Sequence, residues 1–368
     1  MQIIINNIGN INLKYPLEKV GAPEKCLFID IETTGFTAKS SNLYLIGCAY
    51  KKEGIWMETQ FFADSYSEEK EIIASFFDFA SDYKYLIHFN GNNFDIPYIL
   101  DKCSEHNLEY NFDNFSGIDI YRRIAPYKAF LKLENCKQKT IEKFLKINRE
   151  DLYSGGDLIG VYHSYVEKKD EESKRLLLLH NFDDVKGMLE ILPILAYTDL
   201  FQNKLRVTKV SASSFTDVNG VERCELLMTF DTPSTLLIPV SALAENCYFA
   251  GAANQAMIRV PLIEEELKYF YANYKEYYYL PDEDTALHKS VAEFVDKSRR
   301  EPCKASNCYT KRKARFLPEW DTLITPFFKR DYKDNVLYFE LTEDRKTDRA
   351  LFSSYAEHIL NHIVSSKC

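Results

Sequence analysis

Asp30 and Glu32 sit in Leu27-Phe28-Ile29-Asp30-Ile31-Glu32-Thr33-Thr34-Gly35, where an apolar run meets two acids two positions apart. Residues i and i+2 of a strand share a face, so both carboxylates would project to one side. Like charges at the end of a buried strand cost free energy unless something neutralises them, and a hard divalent cation held by oxygen ligands does so. The plain alternative is a strand that ends in two solvated acids. Asp95 follows the turn-rich Phe89-Asn90-Gly91-Asn92-Asn93-Phe94. It could be a ligand, or a helix-start charge favoured by the helix dipole. His180 and Asp184 are i and i+4 in a helical pattern and share a face. They could be functional, or a structural pair. Asp119, within Gly117-Ile118-Asp119-Ile120-Tyr121, is a weaker candidate.

The elements that would position these residues follow from periodicity. Up to two short β segments are expected before the opening motif. Residues 43–50 and 55–62 read as core strands around the hairpin turn Lys51-Lys52-Glu53-Gly54. Residue 67 caps an acidic helix start, and Ile72, Ile73, Phe76, Phe77 and Phe79 give that helix its apolar face. Residues 85–89 and 117–121 predict two further strands, and residues 93–103, 139–145 and 157–166 predict helices. A long helix is expected over 172–202, with Pro193 kinking or splitting it. A three-strand meander followed by alternating helices and strands indicates an α/β domain with a mixed sheet.

Taken in order, acid-x-acid on a strand, Asn90-x3-Phe94-Asp95 after a strand and His180-x3-Asp184 on a helix resemble the DEDD exonuclease superfamily. The middle motif is similar to that of the proofreading exonuclease domains of family B DNA polymerases. Phe89-Asn90-Gly91-x-x-Phe94-Asp95, His180-Asn181-x-x-Asp184, and residues 139–145 followed by Arg149 look most like the bacterial YprB-like ribonuclease-H-like proteins. The resemblance spans about residues 24–200. It implies a ribonuclease-H-like mixed five-stranded sheet flanked by helices, and a metal-dependent 3′–5′ exonuclease that hydrolyses phosphodiester bonds of DNA or RNA. It further implies that Asp30, Glu32, Asp95 and Asp184 hold two divalent ions, Mg²⁺ or Mn²⁺, and that His180 orients or deprotonates the attacking water. Thr33, Thr34 and Asn90 become neighbours of the terminal nucleotide of a single-stranded 3′ end, and Phe94 stacks or packs. Superfamily members with histidine here usually place four residues before the last acid; this chain has three. The alternative function is therefore a catalytically weak or inactive nucleic-acid-binding module of the same fold. About 165 residues follow position 203, too few for a polymerase palm, fingers and thumb.

The pattern changes at that point, which divides the chain into 1–203 and an α+β region, 204–368. Residues 205–215 and 222–230 alternate around Thr216-Asp217-Val218-Asn219-Gly220, a hairpin signal, and residues 236–240 and 257–260 continue the β character. Residues 264–279 hold seven aromatics, read either as a core stripe at helical spacing or as a base-stacking surface interleaved with Lys268 and Lys275. Asp282-Glu283-Asp284-Thr285 reads as a helix N-terminus, and residues 349–364 as a closing amphipathic helix. Residues 288–315 carry nine Lys or Arg against three acids, which nominates Lys289, Arg312 and Lys313 as nucleic-acid contacts. The net charge of −9 argues against a basic coat over the whole protein. No apolar run approaches the roughly 18 residues that span a membrane. The N-terminus lacks the features of a signal peptide, and nine scattered cysteines suit free thiols, so a cytoplasmic location is expected. Cys303 and Cys308 are the only close pair, and without a second pair or a well-spaced histidine they do not suggest zinc.

Overall fold

Alternating exposure along β1 (Gln2–Gly9) marks it as an amphipathic edge strand, whereas β2 (Cys26–Thr33) is buried along nearly its whole length. In the computed structural model, which describes residues 1–147, 155–216 and 218–366, these strands belong to the first of two compact units. That unit comprises Met1–Asp199 with Ser234–Ile238; the second comprises Leu200–Pro233 with Pro239–Cys368. Arg149 and Asp217 lie outside the described residues.

In the first unit, β3 (Leu43–Lys52) and β4 (Ile55–Phe62) flank a two-residue turn, in which Glu53 and Gly54 both adopt positive φ. That geometry matches the twist of a tight hairpin. Helix α1 (Glu69–Ala80) buries Ile72, Ile73, Phe76 and Phe77. Strand β5 (Tyr85–His88), helix α2 (Asp95–Glu105), strand β6 (Ser116–Asp119) and the short helix α3 (Ile120–Ile124) follow. Next come α4 (Gln138–Leu145), α5 (Gly155–Lys168), α6 (Glu171–Ile191) and α7 (Leu195–Gln202). Pro193 splits the expected long helix, as its missing N–H and ring clash require. The sheet has six strands rather than five, in the order β1-β4-β3-β2-β5-β6. The extra member is β1, which pairs antiparallel with β4. The meander is antiparallel, while β5 and β6 join β2 in parallel, as crossover connections allow. Along β2, Leu27, Ile29 and Ile31 pack into the main core, so Asp30 and Glu32 project from the opposite face, towards α6.

The second unit is mostly β. Strand β7 (Arg206–Thr216) pairs with β8 (Glu222–Ala244), which joins β9 (Cys247–Pro261) in a three-stranded sheet. The expected strands at 222–230 and 236–240 are thus one strand, which Pro233 and Pro239 do not end. A four-stranded sheet follows from β10 (Ile263–Phe270), and a three-stranded one from β11 (Tyr277–Leu280), β12 (Thr285–His288) and β13 (Glu301–Pro302). Strands β14 (Tyr309–Glu319), β15 (Phe327–Phe328) and β16 (Leu337–Glu340) complete the four-stranded sheet, and helix Arg349–Ser365 closes the chain. Two sequence expectations are corrected here. The aromatic segment 264–279 is divided between β10 and β11, with a turn from Tyr271 to Glu276, rather than one helix, because β10 finds an antiparallel partner in β14 along its full length and β11 pairs with β12. Asp282 to Asp284 lie in the hairpin turn between β11 and β12, and Thr285 opens β12, instead of starting a helix. Asp284 has a φ of 49°, and its carboxylate accepts hydrogen bonds from the Tyr279 and Tyr309 hydroxyls, at 2.5 Å each, rather than from helix amides.

Candidate active site

Three elements of the first unit bring the acids together. Strand β2 supplies Asp30 and Glu32, the start of α2 supplies Asp95, and α6 supplies His180 and Asp184. All five line one cavity of about 540 Å³, together with Thr33, Asn90 and Phe94. His180 Nε2 lies 3.3 Å from Asp184 Oδ2 and 3.8 Å from Glu32 Oε1. One ligand atom each from Glu32, His180 and Asp184 falls within 4.8 Å of the others. The His180–Asp184 spacing of one helical turn therefore faces the strand pair, as an i, i+4 relation allows.

The electrostatics are those of acids crowded away from water. Burial pushes the Asp30 carboxyl well above its ordinary range, and Asp184, Glu32 and Asp95 push it further; a hydrogen bond from Asn181 Nδ2, 3.1 Å from Asp30 Oδ2, opposes them. Burial likewise raises Asp95 to about 7, against the pull of the Asp95 and Ile31 amides. Uncompensated like charges among hard oxygen donors are the condition that a divalent cation relieves. The donor set of four carboxylates and one imidazole thus fits Mg²⁺ or Mn²⁺, and the Glu32, His180 and Asp184 atoms are close enough to share an ion.

The other nominated residues divide. The Thr33 hydroxyl donates to Gly35 O (2.8 Å) at the cavity wall. Thr34 does not line the cavity: its Oγ1 accepts from the Asn42 amide at 2.8 Å and its own amide donates to Asn42 O, so it pins the turn after β2. Asn90 adopts the left-handed conformation (φ 61°), which asparagine tolerates, and accepts a 2.7 Å bond from Asn93 Nδ2. Asp119 proves to be a clamp. Its carboxylate accepts the Asn90, Asn92 and Arg122 amides, capping α3 and holding the loop that leads to Asp95. Lys289, Arg312 and Lys313 belong to the second unit. The basic stretch there is not a free strip of charge. Arg299, Lys311, Arg312 and Arg315 pair with Asp282, Asp284, Glu340 and Glu264.

Sequence reasoning passed over several residues. Phe36 lines the cavity with 84% of its surface exposed, its ring 6.5 Å from that of Phe94 in an edge contact. Phe89, Asn93, Gly156 and Ile159 also line it. Asn181 is fully buried, and it links Asp30 to Gln60, whose amide donates to both Asn181 Oδ1 (3.2 Å) and Leu178 O (2.8 Å). Gly47, paired with Asp30 across β2 and β3, makes that close approach possible: a Cβ there would stand 1.9 Å from Asn181 Oδ1. The adjacency of Asn181 to His180 and of Phe36 to Gly35 was the available signal; the α5 residues gave none.

Residues 27–196 match the family model of the RNase_H superfamily. The first unit is an RNase H-like domain, a mixed sheet of six strands flanked by helices, and further sheets follow it. Among solved structures, the chain is similar to the family B DNA polymerase of the archaeon Pyrobaculum calidifontis, at 15% identity and a TM-score of 0.39, over 48% of this chain and 26% of that one. It is also similar to E. coli exonuclease I in complex with a dT13 oligonucleotide, at 10% identity and a TM-score of 0.29, over 56% and 55% of the two chains. An exonuclease I complex with SSB-Ct gives 10% identity and a TM-score of 0.32, over 93% and 72%. The chain thus spans about a quarter of the first protein and about half of the second. With scores this low, the fold assignment rests on the family match and the strand order. No curated protein matches the chain. Among the described residues no helix is long and apolar enough to cross a membrane.

Proposed function

We propose that the first unit is a metal-dependent 3′–5′ exonuclease acting on single-stranded ends of DNA or RNA. The observation that carries this reading is the convergence of Asp30, Glu32, Asp95, His180 and Asp184, from three separate elements, on one open cavity. Asp30, Glu32, Asp95 and Asp184 would hold two ions, Mg²⁺ or Mn²⁺. When bound, such ions supply charge neutralisation at the phosphate and activation of water. His180, with Nε2 between Glu32 and Asp184, is placed to take the proton of the attacking water. The water oxygen bonds to phosphorus, the bond to the 3′ oxygen breaks, and a nucleoside 5′-monophosphate departs. Thr33 and Asn90 offer hydrogen bonds to the terminal nucleotide. Phe36 and Phe94 offer ring faces and edges to its base, which suits an unpaired strand. Lys289 and Lys313 of the second unit would contact backbone phosphates.

The test is cleavage of 5′-labelled single-stranded DNA and RNA by the purified chain with Mn²⁺ or Mg²⁺. Wild type should shorten the strand stepwise from its 3′ end, and Asp30→Ala should fall to background. Absence of cleavage by wild type, or equal cleavage by Asp30→Ala, overturns the reading. Metal-independent binding without turnover would indicate a binding module instead.

A further inference from the structure

The cavity wall holds four carboxylates, one histidine, three phenylalanines and two asparagines, and among its described residues neither lysine nor arginine. A polynucleotide brings a negative charge on every phosphate. The phosphate that reacts can be neutralised where the carboxylates would hold their ions. A cation from the protein that engaged the next phosphate along the strand would release its counterion and add affinity, and the described wall provides none.

Arg122, on α3, is built into the rim of this cavity. Its Nη2 donates to Asn93 Oδ1 at 2.9 Å, and Asn93 lines the cavity. Asn93 Nδ2 in turn donates to Asn90 Oδ1, a second lining group. The backbone under the arginine is fixed by the buried Asp119, which accepts the Arg122, Asn90 and Asn92 amides. The neighbouring Tyr121 ring lies 6.3 Å from that of Phe89, also in the wall. Among the described residues its ion pair is with the same Asp119, whose Oδ2 is 4.0 Å from Arg122 Nε, and the arginine side chain remains 56% exposed. A guanidinium carries five N–H donors in a planar fork that matches a phosphate, and Asn93 takes one from Nη2.

We propose that Arg122 is a phosphate-binding residue of the substrate strand, engaging the backbone phosphate next to the one that reacts. The inference rests on the nuclease reading for its site and adds a subsite to it. Arg122 does not line the cavity itself but holds a residue that does, so its target is a phosphate at the rim. The ligand class is the polynucleotide backbone, read without regard to base.

The test uses the full chain as wild type, Arg122→Gln and Arg122→Lys. Glutamine can keep the hydrogen bond to Asn93 while removing the charge; lysine keeps the charge and loses the fork. Two substrates are compared with Mn²⁺: a single-stranded oligonucleotide, and the p-nitrophenyl ester of thymidine 5′-monophosphate, which has a scissile phosphate and no neighbour. The preference for oligonucleotide over ester, as a ratio of kcat/KM values, should fall about tenfold in Arg122→Gln, and less in Arg122→Lys. Oligonucleotide binding, followed by fluorescence anisotropy with Ca²⁺ in place of Mn²⁺, should lose about 0.7 from its salt slope in Arg122→Gln, the share of one single-strand phosphate contact. An unchanged preference together with an unchanged slope overturns the proposal. Equal losses on both substrates overturn it too, since the residue would then act on the site's structure. If wild type cleaves neither substrate the exonuclease reading fails, and the anisotropy slopes still decide the role of Arg122.

Discussion

At the scale of the residue, two carboxyls of the site, Asp30 and Asp95, are pushed above their ordinary range. Asp30 is raised by burial and by three acidic neighbours, and Asp95 reaches about 7. Cation binding must displace their protons, so it strengthens as pH rises. Added Mn²⁺ should therefore raise Tm more at pH 8 than at pH 6; equal shifts at the two values would show that neither acid binds the ion. Glu58 offers a cleaner titration, away from the cavity. It is fully buried on β4, with one oxygen bonded to Asn6 Nδ2 at 2.9 Å and the other, Oε1, without a hydrogen-bond partner. Burial raises it from 4.5 to about 8. Between those values the folded chain keeps a proton that the unfolded chain has lost, so stability falls as pH rises across that window. Glu58→Gln should remove the slope: urea denaturation should show it more stable than wild type at pH 8.5, by about 1–3 kcal/mol, and little different near pH 4. Parallel curves for the two proteins would refute this. The acids themselves were legible in the sequence because their spacing on a strand and a helix fixes which face they share. Asn181 and Phe36 were not, because their roles depend on what faces them: Gly47 and Asp30 for the first, Phe94 for the second.

At the scale of the element, the site depends on how closely α6 lies on the sheet. Gly47 leaves room for Asn181, and Gly187, farther along α6, leaves room for Gln138 and Glu142 of α4; a Cβ there would meet Gln138 Nε2 at 2.7 Å. Gln138 also donates to Asp184 O at 3.1 Å, tying α4 to the turn of α6 that carries the last acid. Gly47→Ala should push α6 outward, costing about 1–3 kcal/mol by overpacking and moving His180 and Asp184 away from β2. Thermal denaturation should register the first effect, and nuclease activity at least a tenfold loss from the second. In the double variant Gly47→Ala/Asn181→Ala the clash is gone, so the two stability losses should fall short of additive. Strict additivity would show that the methyl group never met Asn181. Long helices such as α1 and α6 could be read because their apolar periodicity is long, and the break at Pro193 because its ring forbids continuation, whereas the five-residue α3, where a strand was expected to run on to Tyr121, is too short to show a period. Segment 264–285 could not, because tyrosines at near-helical spacing and an Asp-Glu-Asp run suit helix starts as well as strands. The partner β14, some 40 residues later, decides the first part, and the pairing of β11 with β12 decides the rest.

At the scale of the molecule, the question is what the second unit adds to a first unit whose cavity is acidic. Its basic stretch is partly spent internally. The Arg299–Asp282, Lys311–Asp284, Arg312–Glu340 and Arg315–Glu264 pairs lie at 2.5 to 3.2 Å. Among the described residues, Lys297, Lys304 and Lys313 have no ion pair, and Lys289 lies 5.6 Å from the ring centre of Tyr278, which Arg300 also covers at 4.9 Å. A count of charges along the sequence could not separate these groups, because the acids that occupy the arginines come from other strands and turns. The separation makes the nucleic-acid role testable without confusing it with stability. Arg312→Gln leaves Glu340 without its partner, and because the arginine is 60% exposed, where solvent screens the pair, Tm should change little. Lys289→Gln with Lys313→Gln breaks no ion pair, so Tm should hold while oligonucleotide binding weakens. If both lysines contact backbone phosphates, the salt slope of binding should fall by about 1.4, twice the single-strand share of one contact. A slope equal to that of wild type would mean that these two lysines carry no phosphate contact. The strand would then depend for its cations on residues such as Arg122, beside an RNase H-like cavity whose described wall has none of its own.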